Sequence, residues 1–215
     1  MNSCINLTAH FLPYSRTWKR YADWRDVKLN LPQRKPRLFG RYDGFPENYH
    51  GIAVYRCRVP LRKIQETIIE TFFRINQMEN MAELAPPYLS PDVEVSLEFG
   101  IAENLTFNYI DEETLVSFLK RVSRKKPSIL DFLCVVRYYK VGKKPGEGKR
   151  RPLRFDYFLL RFLFNKEKGE ILVFHEKGIR RISIEDLLDF IVNKINEELS
   201  EKRLAPITLE GLHAF

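Results

Sequence analysis

The stretch Val93-Glu-Val-Ser-Leu-Glu-Phe99 sets the strongest limit on what this chain can fold into. Apolar Val93, Val95, Leu97 and Phe99 alternate without interruption with Glu94, Ser96 and Glu98. Successive side chains of an extended strand point to opposite faces, so a period of two gathers all four apolar groups on one side. A helix would scatter them around its axis. One apolar and one wet face is the habit of antiparallel sheets. Leu105, Phe107 and Tyr109 repeat the alternation after a short turn, so 93–110 is expected to form a hairpin.

Other segments extend that sheet. Residues 51–59 read as a strand, and 3–12 as a weakly alternating one closed by Pro13. Residues 129–140, apolar through Val136, are followed by a long strand at 153–164 and a shorter one at 170–175. Asn165-Lys-Glu-Lys-Gly169 supplies the turn between the last two, and the three should make an antiparallel meander.

Helical spacing marks four further stretches. Tyr14, Trp18, Tyr21 and Arg25 fit a helix over 14–27. Pro60 suits a first helical position, and Leu61, Ile64, Ile68, Phe72 and Ile75, widened by Ile69 and Phe73, form an apolar stripe that fades near Met81. Asp111 can cap a helix to about residue 123, with Leu115, Leu119 and Val122 inward. Ser183 with Asp186 opens the last, whose stripe is Ile184, Leu187, Leu188, Ile191, Val192, Ile195 and Leu199. The expected fold is α+β: an antiparallel meander packed with three to four helices in a single unit. Were it bilobal, the proline-rich connector 85–91 would divide an N-lobe (1–84) from a C-lobe (92–205) and a tail (206–215).

With 44% hydrophobic and 13% aromatic residues the chain has the means to build a packed interior. No apolar run approaches the roughly 18 residues that cross a bilayer. The opening residues lack the basic and apolar regions of a secretory signal, which points to the cytoplasm and away from membranes. Cys4, Cys57 and Cys134 are too widely spaced for a zinc site or a disulfide framework. Abundant Lys, Arg and Glu beside only three glutamines would suit a thermophile.

The charge is segregated. Residues 1–60 hold eleven basic side chains against four acidic ones, and 137–154 hold eight against Glu147 alone. The net charge of the chain is +8, so the remainder is acidic. Concentrated positive charge attracts polyanions, of which nucleic acid is the commonest in the cytoplasm. Two stretches fit that use. Tyr14–Arg25 interleaves rings with cations, as single-strand binding requires, although Tyr14, Trp18 and Tyr21 equally describe a helix face packed on a core. The segment 140–154, with Gly142, Pro145, Gly146 and Gly148, reads as a long hairpin loop able to grip phosphates. It is no phosphate loop, because Arg150 follows Lys149 where Ser or Thr is needed.

The expected function is therefore nucleic-acid binding, DNA or RNA, mainly through the phosphate backbone and with weak sequence specificity. Single strands are slightly preferred over duplex because no helix-turn-helix, zinc finger or basic zipper is present. The candidate contacts are Arg16, Lys19, Arg20, Arg25, Arg41, Lys143, Lys144, Lys149, Arg150, Arg151 and Arg154, with Trp24 and Tyr42 to stack on bases. No cofactor is called for, and catalysis is not expected. Two alternatives stand beside this reading. One is a metal-dependent nuclease or other nucleic-acid enzyme using Asp156, Glu170, His175, Glu176 and Lys177 or the Asp43, Glu47 and His50 loop, neither of which has a standard ligand spacing. The other is a non-catalytic subunit docking on an acidic protein. A protein partner is also conceivable at the tail, where Leu212 and Phe215 resemble the anchors of a sliding-clamp-binding peptide without its glutamine and second aromatic.

Overall fold

The alternation at Val93–Phe99 is realised in a strand that runs further, Val93–Glu103, and sits near one side of a large sheet. The computed structural model describes residues 39–103, 106–141 and 150–215. The expected strand at 3–12 and helix at 14–27 lie outside the described residues. In chain order the elements are β1 (Gly51–Arg56), α1 (Leu61–Gln77), a 3-10 turn (Ala82–Leu84), β2 (Val93–Glu103), β3 (Thr106–Tyr109), α2 (Glu112–Lys125), β4 (Ile129–Lys140), β5 (Arg151–Phe164), β6 (Lys168–Lys177), α3 (Ile184–Glu201) and β7 (Thr208–Ala214). The seven strands form one sheet, β3-β2-β4-β5-β6-β1-β7, and every pairing is antiparallel. The fold is α+β, with three helices among the described residues.

The helices share one face of this sheet. Phe72 of α1 is fully buried, stacked at 4.0 Å on Phe99 of β2 and edge-on to Phe132 of β4 (4.7 Å) and Phe162 of β5 (5.9 Å). Offset and edge-to-face ring contacts of this kind add to the gain from burial. The stripe of α3, from Ile184 to Leu199, enters the same core. The helix starts expected at Asp111 and Ser183 carry their caps, the Asp111 carboxylate accepting from the Thr114 N–H (2.9 Å) and the Ser183 hydroxyl from the Asp186 N–H (2.9 Å), while Pro60 is the N-cap of α1 rather than its first residue. In α2 the buried residues are Phe118 and Val122, with Leu115 and Leu119 only partly covered, so its inward stripe is turned slightly from the one expected.

One expectation needs correction. The second face of β2 is not wet: Ser96 is 8% and Glu98 9% exposed, and Glu98 is held by Arg137 at 2.9 Å. Its neighbours explain this. Leu133 and Val135 of β4, Tyr157 and Leu159 of β5 and Phe107 of β3 form a second apolar cluster on that face, so burial with pairing replaces hydration. The tail is part of the sheet. Residues 208–214 are the strand β7, paired with β1 along Arg56–Gly51, with Leu212 packed against the core and Phe215 72% exposed.

β1, which precedes the 85–91 connector, lies between β6 and β7, which follow it. Residues before and after the connector thus share one sheet and one core, and 85–91 crosses the surface of that unit. Among the described residues no helix is long and apolar enough to cross a membrane.

Candidate nucleic-acid interface

Asp156 organises one end of the sheet. It lies on the helix-side face of β5 and is fully buried. A buried carboxylate is tolerated only when its oxygens are satisfied, and here four donors meet it. The Tyr138 hydroxyl donates at 2.8 Å, the Arg180 N–H at 2.7 Å and the Arg181 N–H at 3.3 Å, while His175 Nε2 stands 3.4 Å away. Burial pushes the Asp156 carboxyl up, but His175, the Arg180 amide, Tyr138 and the Arg181 amide together outweigh it and hold the group below the usual carboxylate range. Asp156 therefore works as a permanent acceptor that ties the turn after β6 to the start of β5.

That turn is shaped for the purpose. Gly178 has φ +125°, and a Cβ there would overlap the Asp156 carboxylate, so no other residue fits without displacing it. Arg180 follows in the left-handed region at φ 50°. Its side chain is directed to solvent, and Arg181 lays its guanidinium 5.5 Å from the Tyr138 ring centroid. The cross-strand neighbour of Tyr138 is Arg154. Arg151, Arg154 and Arg180 are all exposed, and none is in an ion pair with a described residue. They flank the strand that leads out of the lysine-bearing segment 142–149, which itself lies outside the described residues. Tyr88, 69% exposed, bonds through its hydroxyl to the Arg181 carbonyl and stands its ring beside the same cluster.

The other candidates fare differently. Arg16, Lys19, Arg20, Trp24, Arg25, Lys143, Lys144 and Lys149 lie outside the described residues. Arg150 spends its guanidinium on Glu94 (2.8 Å) and Glu79 (3.1 Å), and Arg41 is near Asp43 at 3.7 Å. Tyr42 cannot stack on a base: it is 1% exposed, with its ring 5.0 Å from that of Phe107. Its burial has a cause that no local pattern encodes. Asp131 and Arg161 form a two-pronged pair (2.7 and 2.7 Å), Asp131 accepts the Tyr42 N–H at 2.7 Å, and Arg161 donates to the Tyr42 carbonyl at 3.2 Å. This pair clamps the segment 39–45 onto the sheet. Conversely, Arg180, Arg181 and Tyr88 were not among the sequence candidates, since only the Asp156 cap brings them to Arg154.

The acid–base candidates meet only in part. His50 and His175 are joined, the His175 N–H donating to His50 Nδ1 at 2.9 Å. Burial first, then the charge of Arg180 and the neighbouring His175, lower the pKa of His50 and favour the neutral ring that can accept this bond. Asp156 and Glu170 do not converge: Asp156 pairs with Val136 on the helix side, whereas Glu170 pairs with Leu163 near the other end of β6 and on the opposite face. Among the described residues no three His, Cys, Asp or Glu side chains come together to hold a metal ion. Comparison with protein-family models, with curated proteins and with solved structures returned no match.

Proposed function

We propose that this protein binds nucleic acid by its phosphate backbone, through Arg151, Arg154 and Arg180 at one end of the sheet together with Lys143, Lys144 and Lys149 of the adjoining segment. The observation that carries this reading is that Arg151, Arg154 and Arg180 are exposed at one end of the sheet without an ion-pair partner among the described residues, while Asp156, which holds the Arg180 amide, is buried and already satisfied. Among the described residues several other surface cations are paired, as Arg74 is with Glu198 (2.9 Å) and Lys194 with Glu83 (2.9 Å), whereas Lys120, Arg124, Lys125 and Lys126 at the end of α2 are exposed. An unpaired cluster costs the fold self-repulsion that a polyanion would relieve.

Single strands are the favoured ligand. Tyr88 presents an open ring next to the arginines, and base-on-ring stacking beside phosphate-binding cations is how strands without sequence preference are held. Weak sequence specificity follows, since phosphate contacts carry no base information. Fluorescence anisotropy with labelled single-stranded and duplex oligonucleotides tests this directly. Tyr88→Ala should weaken single-strand binding by about tenfold, the worth of one stacked base, and leave duplex binding nearly unchanged. Equal loss for both ligands would show that Tyr88 acts only by holding the Arg181 turn. No loss for either would remove it from the interface.

A further inference from the structure

A cavity of about 330 Å³ lies on the helix side of the sheet at the turn between β5 and β6, the end of β5 opposite Arg151 and Arg154. Val59, Leu61, Ile64 and Phe164 give it an apolar wall, and no carboxylate is among the residues that line it. An apolar wall with a few placed polar groups is the usual form of a small-molecule site. Tyr55 of β1 lines the cavity as well. It is 1% exposed, and its hydroxyl has no hydrogen-bond partner. The tip of the ring lies over Gly169, where a Cβ would overlap it. The cross-strand neighbour of Gly169 is Phe164 and the residue before it is Lys168, both in the cavity wall, so the hydroxyl end of Tyr55 is the end turned to the cavity. Burial pushes the Tyr55 hydroxyl up, which keeps it protonated and able to donate. A buried donor without an acceptor is costly to the fold and calls for an explanation.

Positive charge gathers at the same place. Lys166 is exposed and in no ion pair with a described residue, whereas Lys168 is held by Glu210 at 2.8 Å. The first turn of α1 borders the cavity through Leu61 and Ile64, contains no acid and has no side-chain cap. The positive end of that helix dipole favours an anion. We propose that this cavity binds a small aliphatic carboxylic acid as its anion. The carboxylate accepts from the Tyr55 hydroxyl beside Lys166 and the first turn of α1, and the hydrocarbon lies along Val59, Leu61, Ile64 and Phe164. An inorganic anion would leave the apolar wall unused, and an alcohol would leave the positive charge unanswered. The site is at the other end of β5 from the arginine cluster, so it stands or falls separately from the nucleic-acid reading.

Equilibrium dialysis of the full chain against radiolabelled hexanoate tests this, with n-hexanol and acetate as competitors. Hexanoate is expected to bind saturably at a single site and to be displaced poorly by either competitor. Tyr55→Phe removes only a hydroxyl without a partner, so it should melt no lower than the wild type. It should nevertheless weaken hexanoate binding by about tenfold, the worth of one hydrogen bond to a charged group. Lys166→Ala, at an exposed position, should weaken it several-fold and reduce its dependence on salt. Absence of saturable hexanoate binding would overturn the proposal. So would displacement by n-hexanol or acetate as effective as by unlabelled hexanoate, or an affinity unmoved by both variants while they melt like the wild type.

Discussion

Phe72→Ala is expected to lower the stability of the folded protein by about 3–5 kcal/mol and its thermal midpoint by about 10–15 °C. The ring is the meeting point of α1 with three strands. It stacks on Phe99 of β2 and is edge-on to Phe132 of β4 and Phe162 of β5, all of them fully buried. Removing it forfeits the transfer of a whole aromatic side chain and leaves a cavity. Three strands and a helix frame the gap, and a sheet paired on both sides cannot collapse into it cheaply. Phe72→Leu keeps much of the volume and should cost less than half as much. Differential scanning calorimetry of the two variants measures both effects. A drop of only a few degrees for Phe72→Ala would mean that α1 is not docked where its rings indicate.

Asp156→Ala should destabilise by about 3 kcal/mol and also disorganise the arginine cluster. The loss arises because Tyr138 and the Arg180 and Arg181 amides lose their acceptor while the Tyr138 hydroxyl stays buried, and an unsatisfied buried donor costs roughly 1–3 kcal/mol. Asp156→Asn keeps the shape and should retain part of the stability. Because the folded-state pKa of Asp156 is lowered, its contribution is present above the unfolded carboxylate value near 3.9 and is lost as pH falls through the folded value. The wild type should accordingly lose stability on acidification below about pH 4 more steeply than Asp156→Asn. Denaturant melts of both proteins across that pH range check the sign, and parallel curves would show that Asp156 is not ionised in the fold.

Local elements were legible in the sequence wherever one face of an element repeats without interruption. The stripe of α3, the Asp111 and Ser183 caps and the β4-β5-β6 meander need only spacing and turn chemistry. β7 was not legible, because Thr208–Ala214 is short and its alternation is broken by Gly211 and by the register shift opposite Val54 and Tyr55. Nor was the insertion of β1 between β6 and β7, since pairing partners this far apart in the chain leave no local mark. The dry second face of β2 has the same origin: Glu98 looks solvated in its own segment, and only the pairing of β2 with β4 sets it against Arg137. The candidate site divides likewise. Arg151 and Arg154 follow from charge clustering alone, but Arg180 and Tyr88 join them through Asp156 and the Arg181 carbonyl. Tyr42 is withdrawn by a clamp whose two halves, Asp131 and Arg161, sit on different strands.

The most direct measurement is the salt dependence of binding to a labelled single-stranded oligonucleotide, for the wild type and for Arg151→Ala/Arg154→Ala/Arg180→Ala. Six phosphate-binding cations predict a wild-type slope of log affinity against log salt of about −4, falling to about −2 when three are removed. Because all three side chains are exposed, the variant should melt at the wild-type temperature. A wild type that binds no probe at low salt, or a triple variant with an unchanged slope, would contradict the assignment of this sheet end to phosphate binding and favour an acidic protein as the partner of the cluster.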